Sequence, residues 1–114
     1  MENKELVING ETYVLKSSVP DAATCVVDRW QVGQNYFLRT VTHHLTGTLI
    51  AVTDKELWLR DAAWIADDGR FTQAMASGSF FEVEPYPEGA EIPVGRGALI
   101  DGMLWPHALP RTQK

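Results

Sequence analysis

The sequence predicts an all-β (mainly β) fold, in which a small, strongly bent antiparallel sheet closes into a barrel or half-barrel. In residues 35–65, short apolar strands follow one another between two turn signals, at Thr46-Gly47 and at Thr53-Asp54-Lys55. The length of 114 residues predicts one domain, spanning residues 1–114, that buries a modest core without disulfide bonds.

Residues 1–16 are predicted to form an N-terminal β-hairpin. Asn9-Gly10 separates the apolar run Leu6-Val7-Ile8 from residues 12–15, and Asn-Gly supplies the positive φ angles of a type I′ turn. Because so short a hairpin is marginal alone, we expect it to dock on the domain or on a partner subunit. Residues 17–21 have the composition of a linker, and residues 25–32 are predicted to be a strand.

The barrel is predicted over residues 33–102. Over residues 37–45, apolar and polar side chains alternate imperfectly, so both faces carry both kinds. This pattern is typical of a curved barrel strand exposed at one end. Residues 49–52 and 56–59 should pair across the Asp54-Lys55 turn. In the second of these strands, Leu57 and Leu59 share one face, so Trp58 points the other way.

A short helix is predicted as an insert in the barrel, at about residues 69–77. An aspartate of Asp67-Asp68 is placed to cap its start, and Gly78 is placed to end it in the left-handed conformation. The apolar face of this helix consists of Phe71, Ala74 and Met75.

The barrel resumes at residues 80–83, where we expect Val83 to point inward and Glu82 and Glu84 outward. Residues 85–89 form a turn, and residues 92–100 the last strand, with an edge position indicated by Pro93. Gly95-Arg96-Gly97 predicts a bend or bulge in that strand. The tail, residues 103–114, is too rich in proline for a helix, so we expect it to be extended.

The order of these elements resembles the small barrels of Sm-like and SH3-like proteins. The residues that carry the likeness are Gly47, Leu49, Asp54 and Leu59-Arg60-Asp61 for the first Sm motif and Arg96-Gly97 for the second. The resemblance implies edge-to-edge strand pairing into a homo-oligomer. Since the asparagine with which Sm proteins bind RNA bases has no counterpart near Lys55-Glu56, RNA binding is the third of the functions considered below.

A longer stretch, residues 36–111, resembles a family of small bacteriophage and prophage proteins. The segments that carry the likeness are YFLRTVTHHLTGTL, DAAWIADDGRF, EVEPYP, VGRGALIDG and, in the tail, Trp105, His107 and Leu109-Pro110-Arg111. That family has no assigned activity. Its genomic setting implies a non-structural accessory protein in the cytoplasm of an infected bacterial host cell. Accessory proteins of this size often bind host molecules, including the nucleotide signals of antiviral systems.

The net charge of −5 argues against broad binding to nucleic acid or to an anionic membrane. The single cysteine, Cys25, excludes an intrachain disulfide and a cysteine-based zinc site, which fits a reducing compartment. Neither a secretion signal nor an apolar run long enough to span a membrane is present, so we expect no membrane partner.

No catalytic, metal or cofactor site is expected from the sequence. Ser77-Gly78-Ser79 lacks the pattern of a nucleophile elbow, and no phosphate-binding loop is present. His43 and His44 are neighbours on a predicted strand, so they point to opposite faces and do not chelate one metal together. We therefore expect a protein that is not an enzyme and that needs no cofactor.

The large aromatic residues and the arginines indicate a binding site. Arginine forks bind phosphate, and aromatic faces stack on bases. The C-terminal segment supplies the strongest candidates, because a polar, proline-held tail is costly to order without a ligand. The candidate ligand-binding residues are Arg96, Trp105, His107, Arg111, Arg70, Trp64 and His43. The alternative is that Trp64 and Phe71 lie in the core and the arginines pair with acids.

Three functions follow from these observations. The first is non-enzymatic binding of a phosphate-bearing small molecule, such as a nucleotide immune signal sequestered during infection. The second is a protein-interaction module that inhibits or adapts a host protein. The third is RNA binding through the barrel. In each case we expect a homo-oligomer, whose subunit interfaces would form composite pockets.

Overall fold

The computed structural model describes Leu6–Val7, Tyr13–Val14 and residues 29–114. Its elements in chain order are β1 Leu6–Val7, β2 Tyr13–Val14, β3 Asn35–Thr40, β4 His44–Val52, β5 Glu56–Asp67, α1 Phe71–Ser77, β6 Glu82–Pro85, β7 Glu91–Gly95, a 3₁₀ turn at Arg96–Ala98, and β8 Leu99–Leu104. All pairings are antiparallel, and the predicted mainly β class with one short helix is confirmed.

The N-terminal hairpin is present as a separate two-stranded sheet, in which Leu6 faces Val14 and Val7 faces Tyr13. The predicted turn at Asn9-Gly10, the linker at residues 17–21 and Cys25 lie outside the described residues. Of the strand predicted over residues 25–32, only the end is described. It is irregular there and enters a turn at Val32, so that part of the prediction is wrong.

The main sheet has six strands in the order β6-β5-β4-β3-β8, and β7 pairs with the first half of β5. The 3₁₀ turn at Arg96–Ala98 joins β7, at one edge, directly to β8, at the other. The sheet therefore curls until its two edges approach each other. Within residues 29–114 no ladder joins β7 to β8, so the sheet is an open barrel: the half-barrel alternative is found and the closed barrel is not. The prediction of a single last strand over residues 92–100 is wrong, because the bend at its glycines ends one strand and begins another.

One predicted strand contains a turn, and one predicted turn lies inside a strand. Residues 37–45 do not form one strand: β3 ends at Thr40, and the chain reverses before β4 begins. The Thr40 hydroxyl organises this reversal, since it accepts hydrogen bonds from the N–H groups of Thr42 and His43 and donates one to the His43 carbonyl. Thr46-Gly47, expected to be a turn, lies inside β4. The turn at residues 53–55 is confirmed.

Gly47 faces a bulge in β5. Thr46 pairs with Ala63 and Thr48 pairs with Arg60, so two residues, Asp61 and Ala62, lie opposite one. Asp61 has a φ of 54°, which few residues other than glycine adopt. A Cβ on Gly47 would lie 3.1 Å from the Leu59 Cβ and 3.3 Å from the Ala62 Cα, so the glycine lets the two backbones approach. The bulge bends β5, whose first half pairs with β7 and whose second half pairs with β6.

The sheet is buried on both faces, because the alternating residues of β3 enter two different cores. The inner core, inside the curl of the sheet, contains Tyr36, Leu38, Leu45, Leu49, Leu57, Leu59, Ala62 and Val94. The outer core contains Phe37, Ala63, Ile65, Ala74, Phe80, Val83 and Trp105. Helix α1 and the C-terminal tail cover the outer face. The tail is held at its end by Lys114, which exchanges two backbone hydrogen bonds with Val83 of β6.

Helix α1 confirms one predicted cap and not the other. Gly78 ends the helix in the left-handed conformation, and its N–H donates to the Ala74 carbonyl. The start at Arg70 has no side-chain cap. Asp67 instead accepts the Gly69 N–H, and Asp68 pairs with His44 at 2.8 Å. Among the residues that the structure describes, no helix has the length and apolar character needed to cross a membrane.

Thr46 supplies a first test of this packing. Its side chain is fully buried, and within the described part of the chain its hydroxyl has no hydrogen-bond partner. Burying an unpaired polar group costs free energy, so Thr46→Val should raise the free energy of unfolding by about 1 kcal/mol in urea denaturation.

Thr48→Val is the matched control for this change. The Thr48 hydroxyl donates to the Asn35 side-chain oxygen at 2.7 Å, so its removal should lower stability. A loss of stability in Thr46→Val similar to that in Thr48→Val would show that the Thr46 hydroxyl is hydrogen-bonded.

Candidate functional site

A groove lies on the inner face of the sheet, where the second half of β5 continues beyond the end of β7. Its volume is about 450 Å³, and its lining residues are His43, Trp64, Glu84, Pro85, Tyr86 and Pro87. We call it the aromatic groove. Trp64 is 43% exposed although its two neighbours along β5, Ala63 and Ile65, are buried. A large exposed aromatic ring in a concave site is typical of a binding surface.

The bulge in β5 decides which face Trp64 occupies. Leu57 and Leu59 point into the inner core, so strict alternation along the strand would send Trp64 to the outer face. The extra residue at Asp61-Ala62 shifts the alternation by one, and Ala62 joins the inner core while Ala63 and Ile65 join the outer core. Trp64 therefore stands on the inner face, beside its cross-strand partner Leu45.

A turn and a backbone hydrogen bond position the other two rings, those of His43 and Tyr86. His43 follows the turn that Thr40 organises, and its Nδ1 lies 2.8 Å from the Thr42 hydroxyl. Its ring meets Trp64 edge to face, with the centroids 6.4 Å apart. Tyr86 follows β6, and its N–H donates to the carbonyl of Ala62 in the bulge. The bulge thus fixes both Trp64 and Tyr86.

Arg111 braces the groove from the tail. Its Nη1 donates to the Ala62 carbonyl at 2.6 Å and its Nη2 to the Tyr86 carbonyl at 3.1 Å. The guanidinium therefore ties the end of the chain to the bulge and to one wall of the groove. A neighbouring hollow of about 500 Å³ shares Pro85 and Tyr86 with the groove and is further lined by Asp61, Glu88 and Arg111.

The structure brings together only part of the predicted site. His43 and Trp64 line the aromatic groove, and Arg111 lies behind it. Trp105 is buried, stacks on Phe80 with the centroids 5.3 Å apart, and donates its indole N–H to the Ala108 carbonyl.

The remaining candidates lie elsewhere. The Nε2 atom of His107 lies 2.8 Å from the Met75 carbonyl at the end of α1, and its ring fills the space that a Cβ on Gly78 would need. Arg96 donates to the Thr53 carbonyl at the far turn of the sheet, and Arg70 is exposed at the start of α1. The C-terminal quartet Arg96, Trp105, His107 and Arg111 thus contacts separate parts of the fold.

Sequence reasoning did not include Glu84, Pro85, Tyr86 and Pro87 in the site. The available signal was the segment EVEPYP, in which an acidic strand runs into an aromatic ring between two prolines. That Glu84 faces Trp64 follows from the cross-strand register, which in turn depends on the bulge. Neither the register nor the bulge is visible in the hydrophobic pattern.

Two other arginines pair with carboxylates on the surface. Arg39 donates through Nε to Asp101 at 2.8 Å, and this hydrogen bond lowers the pKa of Asp101 from its ordinary value. Arg60 contacts Glu91 at 3.1 Å. In the described ranges, no three histidine, cysteine or acidic side chains gather as metal ligands do. No protein-family model, curated protein or solved structure matches the chain.

The groove assignment predicts that two tryptophans respond differently to removal. Trp105→Ala empties part of the outer core and should lower the free energy of unfolding by about 3–5 kcal/mol. Trp64→Ala removes a half-exposed ring and should change the free energy of unfolding by about 1 kcal/mol or less. Urea denaturation of the two variants beside the wild type checks both values. If Trp64→Ala costs as much as Trp105→Ala, Trp64 is a core residue and not part of a binding surface.

Proposed function

We propose that the protein is a non-enzymatic protein-interaction module and that an extended segment of a partner protein lies in the aromatic groove. The observation that carries this proposal is the exposed Trp64 ring, flanked by His43, Tyr86 and two prolines in an open groove. Tryptophan and tyrosine provide much of the binding energy of protein interfaces, because they bring a large contact area at a small entropy cost.

The groove is formed before binding. The backbone that carries the three rings is held by the bulge and by hydrogen bonds from the Thr40 hydroxyl and the Arg111 guanidinium. Pro85 and Pro87 restrict the chain on either side of Tyr86. A preformed site reduces the ordering cost of association. An extended segment suits an open groove of this kind better than a small enclosed ligand does.

A phosphate-bearing ligand is the alternative, and the charges of the groove disfavour it. Its lining contains one charged side chain, Glu84, and neither an arginine nor a lysine. Arg111 is the nearest cation of the neighbouring hollow, and both of its terminal nitrogens already donate to carbonyls. The same lack of cations disfavours RNA. The likeness to phage proteins would place the partner in the cytoplasm of an infected bacterial cell.

A peptide-display selection tests the proposal. We expect peptides that are enriched on the wild-type protein to bind Trp64→Ala at least about tenfold more weakly, as the loss of a central aromatic contact does. Phe81→Ala is the matched control, because Phe81 is a 64% exposed aromatic residue that does not line the groove, and it should bind the same peptides as the wild type does.

Two results would contradict this proposal. One is equal binding of the enriched peptides by the wild type and by Trp64→Ala. The other is a failure to enrich any peptide while a panel of mono-, di- and cyclic nucleotides binds with a dependence on Trp64, which would support the phosphate-bearing ligand instead.

We also propose that the chain self-associates through β8. This strand pairs with β3 on one side, and no strand of the described chain lies on its other side. Because Trp105 donates to the Asn35 carbonyl, the alternate N–H groups of Gly102 and Leu104 point away from β3. Its exposed residues include Ile100, Met103 and Leu104, and such an apolar free edge is a template for pairing with a second copy.

Sedimentation velocity of Leu104→Lys tests the edge contact. A lysine on a free strand edge opposes strand addition, so the variant should require at least about a tenfold higher concentration than the wild type to associate. Phe81→Lys, at the opposite edge of the sheet, should associate as the wild type does. A wild-type protein that stays monomeric up to its solubility limit would exclude the contact.

A further inference from the structure

We infer that the group seated against Trp64 is a guanidinium, the side chain of an arginine in the partner segment. This inference rests on the proposed function and names the chemistry that the aromatic groove selects. Its basis is the juxtaposition of the Trp64 ring and the Glu84 carboxylate. The two residues are direct cross-strand partners on β5 and β6, and both are exposed in the groove.

Among the residues that the structure describes, no cationic side chain pairs with the Glu84 carboxylate. Its hydrogen bond within the described residues is a long one, 3.5 Å, from the side-chain amide of Gln113. The only arginine of the adjoining hollow, Arg111, is held by carbonyl oxygens of Ala62 and Tyr86. The carboxylate is therefore available to a cation that enters the groove from outside.

The surroundings carry more acidic than basic side chains, and Arg111 of the adjoining hollow already donates to carbonyl oxygens. The adjoining hollow carries Asp61 and Glu88, and a third hollow, which shares His43 and Trp64 with the groove, carries Asp67 and Asp68. The whole chain has a net charge of −5. The local acidic side chains and the overall negative charge therefore attract a cationic ligand and repel a phosphate.

The geometry favours a guanidinium over an ammonium. A carboxylate and an indole side by side on one face of a sheet present a charged acceptor next to a flat π surface. The planar guanidinium stacks on the ring and donates two parallel hydrogen bonds to the carboxylate at the same time. An ammonium group, as a compact and strongly hydrated charge, does not stack in this way.

The test uses the peptide acetyl-Gly-Arg-Gly-amide and its citrulline counterpart, which has the same shape and no charge. In NMR titrations, the arginine peptide should shift the indole signal of Trp64 and the ring signals of Tyr86. The citrulline peptide should bind at least about tenfold more weakly, because it loses both the cation–π contact and the charged hydrogen bonds. Trp64→Ala should abolish the response of the Tyr86 signals.

Glu84→Gln tests the carboxylate and should weaken binding of the arginine peptide by about threefold. Glu82→Gln is the matched control, since Glu82 is an exposed acid on the same strand that does not line the groove. The control makes the same change in net charge and should leave the affinity within about a factor of two.

The outcomes separate this inference from the proposed function. Equal binding of the arginine and citrulline peptides, or equal effects of Glu84→Gln and Glu82→Gln, would overturn the guanidinium site. If display peptides that lack arginine still require Trp64, the proposal of a protein-interaction module is supported and only the guanidinium inference is wrong. If neither the binding of the display peptides nor that of the arginine peptide depends on Trp64, both the proposed function and the guanidinium inference are wrong.

Discussion

The close contact between Gly47 and the bulge of β5 is the constraint on which the rest of the structure depends. One extra residue at Asp61-Ala62 bends β5, so that one strand has two different partners on the same side. The bend starts the curl that brings β7 and β8 within one 3₁₀ turn of each other. The absence of a side chain at residue 47 favours this bend, since a Cβ there would lie tightly against Leu59 and the backbone of Ala62.

The same bulge links the two cores to the groove. Before it, the apolar residues of β5 fill the inside of the barrel, and after it, Ala63 and Ile65 fill the outer core beneath α1 and the tail. The Ala62 carbonyl is the shared acceptor for the Tyr86 N–H and for Arg111. The tail, through Arg111, thus fastens the bend from outside. The second hydrogen bond of Arg111, to the Tyr86 carbonyl, also ties the tail to one wall of the groove.

Elements whose signals are local were predictable from the sequence. The turn at residues 53–55, the left-handed Gly78, the burial of Val83 and a bend after Gly95 each depend on residue types within a few positions, and each is found. The errors have a common cause. Thr46-Gly47 has the composition of a turn, but Gly47 lies within a strand, opposite the bulge that begins 14 residues later at Asp61. The division of residues 37–45 depends on the Thr40 hydroxyl, which the hydrophobic pattern ignores.

The candidate site was less predictable than the fold, because it depends on the face that each side chain occupies. Under strict alternation, Trp64 would have pointed toward Phe37, Phe80 and Trp105, whose rings already fill the outer core. The inserted residue instead sends it to the inner face, past the end of β7, where no strand of the described chain covers it. There it meets Glu84 across the ladder and His43 at its edge. The bulge at Asp61-Ala62 therefore both bends the sheet and exposes Trp64. For this reason the groove is a consequence of the fold and not an addition to its surface.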